Sequence, residues 1–144
     1  MKEIVSPSSE GSIAQLAQLP KPRSPRILVA DDEYTIRMLM TTVLARSGYQ
    51  VESAVDGAEA WTALQSKPYD LLITDHNMPK ISGIELVKHM RTAQMDVPVV
   101  MVAGMVPEDE LAQDPSLQFA ATLSKPFELS DLLDTVNHVL HVAE

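Results

Sequence analysis

Apolar residues fall into two alternating patterns along the chain. Ile27-Leu28-Val29-Ala30 is a continuous apolar run, the signature of a strand covered on both faces, and it ends in Asp31-Asp32-Glu33. Ile36, Leu39, Met40, Val43 and Leu44 then recur at helical spacing, and Gly48 closes that helix. Val51 to Val55 reads as a second strand. Ala58 to Gln65 reads as a short helix with Trp61 and Leu64 inward, stopped by Lys67-Pro68. Asp70 to Thr74 is the third strand, with Leu71, Leu72 and Ile73 at its centre and Asp75 where the apolar run ends. Asn77 and Pro79 force a loop, and Ile84, Val87 and Met90 predict a helix opening near Ser82. Pro98 to Val102 is the fourth strand, since Pro is tolerated at a first position. Pro107 to Gln113 follows as a short acidic helix, and Phe119 to Leu123 as a poor fifth strand. Leu129, Leu132, Leu133, Val136 and Leu140 mark the last helix. Five strand–helix alternations predict an α/β domain, a five-stranded parallel sheet doubly wound by right-handed crossovers.

The first 25 residues break this pattern. Ser6 to Ser12 is turn-rich, and Pro20, Pro22 and Pro25 forbid continuous helix or strand. Residues 1–25 therefore read as a flexible tail and residues 26–144 as one folded domain. Within the tail, Ile13, Leu16, Ala17 and Leu19 could make one amphipathic turn, marginal alone, or a segment that docks on a partner. Composition narrows the function classes. A net charge of −9 argues against nucleic acid as a partner. The absence of Cys removes disulfides, thiol catalysis and Cys-bound zinc. No apolar run is long enough for membrane insertion, and Gln15 and Gln18 interrupt the only apolar stretch near the N-terminus, so the expected location is cytoplasmic.

The candidate chemistry sits at the strand ends. Asp31 and Asp32 follow the first strand, Asp75 the third and Lys125 the fifth. Ligands of open α/β sheets bind outside the carboxyl ends of the strands. Separately, Asp75 could start a turn, Asp31-Asp32 could cap a helix, and Lys125 could be a loop lysine. If the first and third strands are neighbours, three carboxylates share a pocket and repel one another, a conflict that Mg2+ relieves. One carboxylate could then serve as nucleophile toward phosphorus, with Lys125 as a point charge for the phosphoryl oxygens.

These motifs together resemble a response-regulator receiver domain of two-component signalling, of the stand-alone chemotaxis-regulator kind. The resemblance rests on Ile27-Leu28-Val29-Ala30-Asp31-Asp32, on Leu72-Ile73-Thr74-Asp75-His76-Asn77-Met78-Pro79 with Gly83 following, and on Lys125-Pro126-Phe127. It covers about residues 26–142. It implies a flavodoxin-like (βα)5 fold with strand order 2-1-3-4-5. It further implies Asp75 as phosphoacceptor, Asp31 and Asp32 as the metal pair, and Asn77 as donor of a backbone carbonyl to Mg2+. Lys125 becomes the phosphoryl-binding lysine, with a cis peptide before Pro126. The implied donor is a phosphohistidine on a sensor histidine kinase or histidine phosphotransfer protein. With no output domain expected after Glu144, the message would pass to a downstream protein target that the sequence does not name, or onward as phosphate.

Two positions depart from the family. Ala103, followed by Gly104, stands where the family usually has Thr or Ser, whose hydroxyl bonds a phosphoryl oxygen. Loss of that bond to a charged group amounts to about 1.5–3 kcal/mol in the phosphorylated state. Thr122 stands where the family usually has an aromatic side chain that moves on activation. The expectation is a receiver that takes phosphate but switches by a smaller or different rearrangement. Two alternatives compete with it: a pseudo-receiver that binds partners without phosphate, and a Mg2+-dependent phosphatase. The second wants a general acid where the chain has Asn77. Elsewhere, His76 is expected to face a partner or solvent, and His138 and His141 to lie exposed on the last helix. Met78, Met95 and Met101 read as core, and Met105 as part of a contact surface. Glu108, Asp109, Glu110 and Asp114 suggest a basic partner.

Overall fold

The computed structural model describes residues 24–105 and 107–143. Of the expected tail, residues 1–25, all but Ser24 and Pro25 lie outside them. Five strands form one parallel sheet: β1 Arg26–Ala30, β2 Gln50–Ala54, β3 Leu71–Asp75, β4 Val99–Ala103 and β5 Ala121–Ser124. Their spatial order is β2-β1-β3-β4-β5, the doubly wound order expected. The connecting helices are α1 Tyr34–Arg46, α2 Gly57–Ser66, α3 Gly83–Thr92, α4 Glu108–Gln113 and α5 Leu129–Ala143. No helix among the described residues is long and apolar enough to cross a membrane.

The period-two geometry of the strands splits the core into two layers. Ile27, Val29, Leu71, Ile73, Val100 and Val102 face α1 and α5, where they meet Met40, Leu44, Leu132 and Val136. Leu28, Ala30, Leu72, Val99 and Met101 face the other way, against Leu64 of α2 and Leu86, Val87 and Met90 of α3. The central strands are apolar at Ile27–Ala30, Leu71–Ile73 and Val99–Ala103, and the carboxylates Asp31 and Asp75 stand at the edge beyond. Helix ends follow local chemistry. Asp56 accepts a hydrogen bond from the Glu59 N–H at the start of α2, Ser82 and Glu85 form a reciprocal capping box on α3, and Gly48 takes a φ of +99° after α1.

The fifth strand departs from expectation. It starts at Ala121 rather than Phe119, because Pro115–Leu117 form a turn of 3-10 helix and Gln118 turns with a positive φ. Asp114 accepts from the Ser116 N–H at that turn. Asp114-Pro115-Ser116 is local turn chemistry that the sequence itself carries. Phe119 packs on the core beside the strand. The second strand begins and ends one residue earlier than expected, which leaves Val55 exposed. Trp61 is only half inward, its ring 5.5 Å from that of His89 on α3.

Candidate functional site

Parallel pairing sets the carboxyl ends of β1, β3 and β4 side by side, and each ends at the same edge of the sheet. Asp75 is the last residue of β3, one place later than expected, opposite Val102 of β4. Asp31 directly follows β1 and is tied to the end of β2 through its N–H, which donates to the Ala54 carbonyl at 3.2 Å. A carboxylate oxygen from each of Asp31, Asp32 and Asp75 lies within 4.8 Å of the other two. Asp31 is fully buried and Asp75 nearly so, whereas Asp32 is exposed.

Lys125 reaches this cluster from the β4–β5 side. Its N–H donates to the Ala103 carbonyl at 2.8 Å, which fixes where the side chain leaves the sheet edge. Its Nζ stands 3.2 Å from Asp75 Oδ1, 3.4 Å from Glu33 Oε1 and 3.6 Å from Asp31 Oδ2. The Lys125–Pro126 peptide is cis. Asn77 lies two residues beyond Asp75 in a loop held at both ends. The His76 N–H donates to the Val102 carbonyl at 2.9 Å, and the Gly83 N–H to the His76 carbonyl at 2.8 Å. Gly83 is required there: a Cβ would stand 2.5 Å from the Asp75 carbonyl oxygen.

The electrostatics are unbalanced, with three carboxylates against one ammonium. Burial pushes the Asp31 carboxyl above its ordinary range. The Glu33 N–H and Lys125 oppose that rise and do not cancel it. Burial raises Asp75 as well, against Lys125 and with Asp32 adding to the rise. For Lys125 burial works against the charge, yet the neighbouring carboxylates outweigh it and the net shift is upward. Asp31 Oδ2 is buried without a hydrogen-bond partner, since Lys125 at 3.6 Å is beyond bonding range. An orphaned, buried carboxylate oxygen facing two more carboxylates is a donor set that suits a hard divalent cation. Among the described residues it is the only group of three or more His, Cys, Asp or Glu side chains close enough to hold one.

The expected departures have a place in this geometry. Ala103 is fully buried at the end of β4 and offers no hydroxyl to the site, and Gly104 beside it is exposed. Thr122 is exposed on β5, opposite Met101. His138 and His141 lie exposed on α5. Met101 is buried, Met78 and Met95 pack on the core, and Met105 is exposed. His76 is partly buried, and its Nδ1 has no hydrogen-bond partner. With Asn77, Met105, Pro107 and the acidic first turn of α4 it lines a cavity of about 420 Å³. Sequence reasoning assigned Glu33 no role, although its carboxylate touches Lys125. The only available signal was that it continues the acidic run after β1.

Comparison with known proteins agrees with this geometry. The family model of the response regulator receiver domain matches residues 27–137. The chain is 33% identical over 123 residues to the response regulator receiver protein CpdR of Brucella abortus, spanning 82% of this chain and 98% of that protein. The chemotaxis response regulator CheY4 of Vibrio cholerae superposes with a TM-score of 0.74 at 32% identity, covering 81% of this chain and 99% of that one. The response regulator TrrA of Thermotoga maritima, solved in complex with Mg2+ and BeF, superposes with a TM-score of 0.70 at 32% identity and the same coverage.

Proposed function

Since this chain belongs to the response regulator receiver domain family, we propose that Asp75 accepts a phosphoryl group from a phosphohistidine donor. Receiver domains as a family accept phosphate in two-component signalling and work with histidine kinases or phosphotransfer proteins. The observation that carries the assignment to Asp75 is its setting: a nearly buried carboxylate, 3.2 Å from Lys125, beside a second carboxylate whose Oδ2 has no hydrogen-bond partner.

Asp31, Asp32 and Asp75 would hold Mg2+, with the Asn77 backbone carbonyl as a further oxygen ligand. A bound magnesium ion supplies positive charge against the carboxylates and the phosphoryl oxygens. The chain's own residues do the rest. An Asp75 carboxylate oxygen attacks phosphorus as the donor's bond to it breaks. Lys125 turns from Asp75 toward a phosphoryl oxygen and holds it as a point charge. The walls of β1, β3 and β4 keep the attacking carboxylate largely out of water, which strengthens each of these contacts.

The output is proposed to differ from that of an ordinary receiver. Ala103 gives β4 no contact that strengthens on phosphorylation, and a ligand shifts an equilibrium only by its differential affinity for the two states. Thr122 supplies no aromatic side chain to follow such a movement. Signalling then proceeds through a smaller rearrangement read by a protein partner, or through relay of the phosphate.

Intact-mass measurement after incubation with acetyl phosphate and Mg2+ tests the assignment. One phosphate is expected on the native chain and none on Asp75→Asn. No gain on the native chain would instead favour the pseudo-receiver reading, which Ala103 and the exposed Thr122 support. Continuous turnover would favour a phosphatase, for which Asn77 offers no general acid.

A further inference from the structure

Glu33 is the N-cap residue of α1, yet its side chain makes no cap hydrogen bond. Its backbone N–H donates to Asp31 Oδ1 at 2.9 Å, and its carboxylate reaches Lys125, 92 residues further along the chain, at 3.4 Å. Lys125 Nζ thereby has three carboxylate neighbours, at 3.2, 3.4 and 3.6 Å. An ammonium has three N–H donors; Asp75 and Glu33 engage two of them, and Asp31 stands just beyond bonding range of Nζ. A phosphoryl oxygen arriving at Asp75 needs one of them. Asp31 is fully buried and fixed, and Asp75 carries the phosphoryl group itself. Glu33 is the partner at the rim, its side chain 59% exposed, and it is the one free to exchange Lys125 for water.

We propose that Glu33 is a positioning residue that holds Lys125 toward the rim and so slows phosphoryl uptake from small anionic donors. This rests on Asp75 being the phosphoacceptor. With acetyl phosphate, an Asp75 oxygen bonds to phosphorus as the bridging P–O bond breaks. The electron pair leaves with acetate and no proton has to move. The Glu33 contact holds Lys125 back from the phosphoryl oxygens, and the Glu33 carboxylate stands as a further negative charge at the rim that a dianion approaches. A donor delivered by a docked protein is carried past this barrier by its own binding contacts. A freely diffusing one is not.

The initial rate of phosphate incorporation from acetyl phosphate, with Mg2+ present, decides the matter. Glu33→Gln is expected to be about two- to five-fold faster than the native chain, the rate equivalent of an exposed ion pair. The advantage should shrink toward unity at molar salt, as a screened contact must. Glu33→Asp, too short to keep the contact, should also be faster. The NMR resonance of the Lys125 side-chain ammonium should move in both variants before any donor is added, which a purely structural role at the helix end would not require. Equal or slower labelling of both folded variants, or an unmoved Lys125 resonance, overturns the proposal. If the native chain takes no phosphate at all, the assignment of Asp75 falls and this inference with it; labelling of the native chain without acceleration in the variants removes this inference alone.

Discussion

Replacing Asp31 by Asn should make the metal-free protein more stable, and the magnitude follows from the cluster geometry. At an effective dielectric of about 20, two like charges at the 4.8 Å limit repel by about 3.5 kcal/mol, and a lysine at 3.6 Å attracts by about 4.6 kcal/mol. Asp31 faces two such repulsions, from Asp75 and Asp32, and one attraction. The pair energies therefore favour removing its charge by about 2 kcal/mol, and the exposure of Asp32 weakens its share. Desolvation of a fully buried carboxylate acts in the same direction and restores that loss. The Asn side-chain oxygen can still accept from the Glu33 N–H. A net gain of about 2 kcal/mol corresponds to roughly 8 °C in Tm for a domain of this size.

Thermal melts by circular dichroism in EDTA measure that difference. The pH dependence provides an internal check. A carboxyl whose folded pKa is raised binds its proton more tightly in the folded state than in the unfolded one. Its destabilising effect is full above the raised folded pKa, declines as the pH falls through it, and is gone below the unfolded value of about 3.9. The gap between Asp31→Asn and the native chain should therefore close on acidification. Added Mg2+ should raise the native Tm, by about 2.7 kcal/mol of stability at a hundredfold excess over Kd, and raise the variant less. A variant that melts below the native chain in EDTA, or a gap that widens toward acid pH, would refute the electrostatic argument.

Other changes probe the path from site to surface. Ala103→Thr puts a hydroxyl at the end of β4, and the backbone NMR shifts induced by beryllofluoride over α4 and β5 should grow; an unchanged response would mean that Ala103 does not limit switching. Gly83→Ala sets a Cβ 2.5 Å from the Asp75 carbonyl oxygen and 2.9 Å from the His76 Cα, both backbone atoms. It should cost about 1–3 kcal/mol in denaturant melts and also slow phosphate incorporation, since the displaced backbone carries Asp75.

Much of this protein could be read from local pattern alone. Ile27–Ala30, Leu71–Ile73 and Val99–Val102 are apolar at every position, so each had to be a strand covered on both faces. The first charged residue after such a run has to lie at the sheet edge, where Asp31 and Asp75 are found. What periodicity could not supply was distance. Only the placement of β1 between β2 and β3 brings Asp31 to Asp75, and only the pairing of β4 with β5 brings Lys125 over both. The Glu33–Lys125 contact and the orphaned Asp31 oxygen belong to the same class. Hydrophobic period and turn chemistry act over a few residues and determine which elements form. Which charges meet depends on crossovers that join distant residues, such as Glu33 and Lys125, 92 positions apart, and packing of the whole sheet decides those.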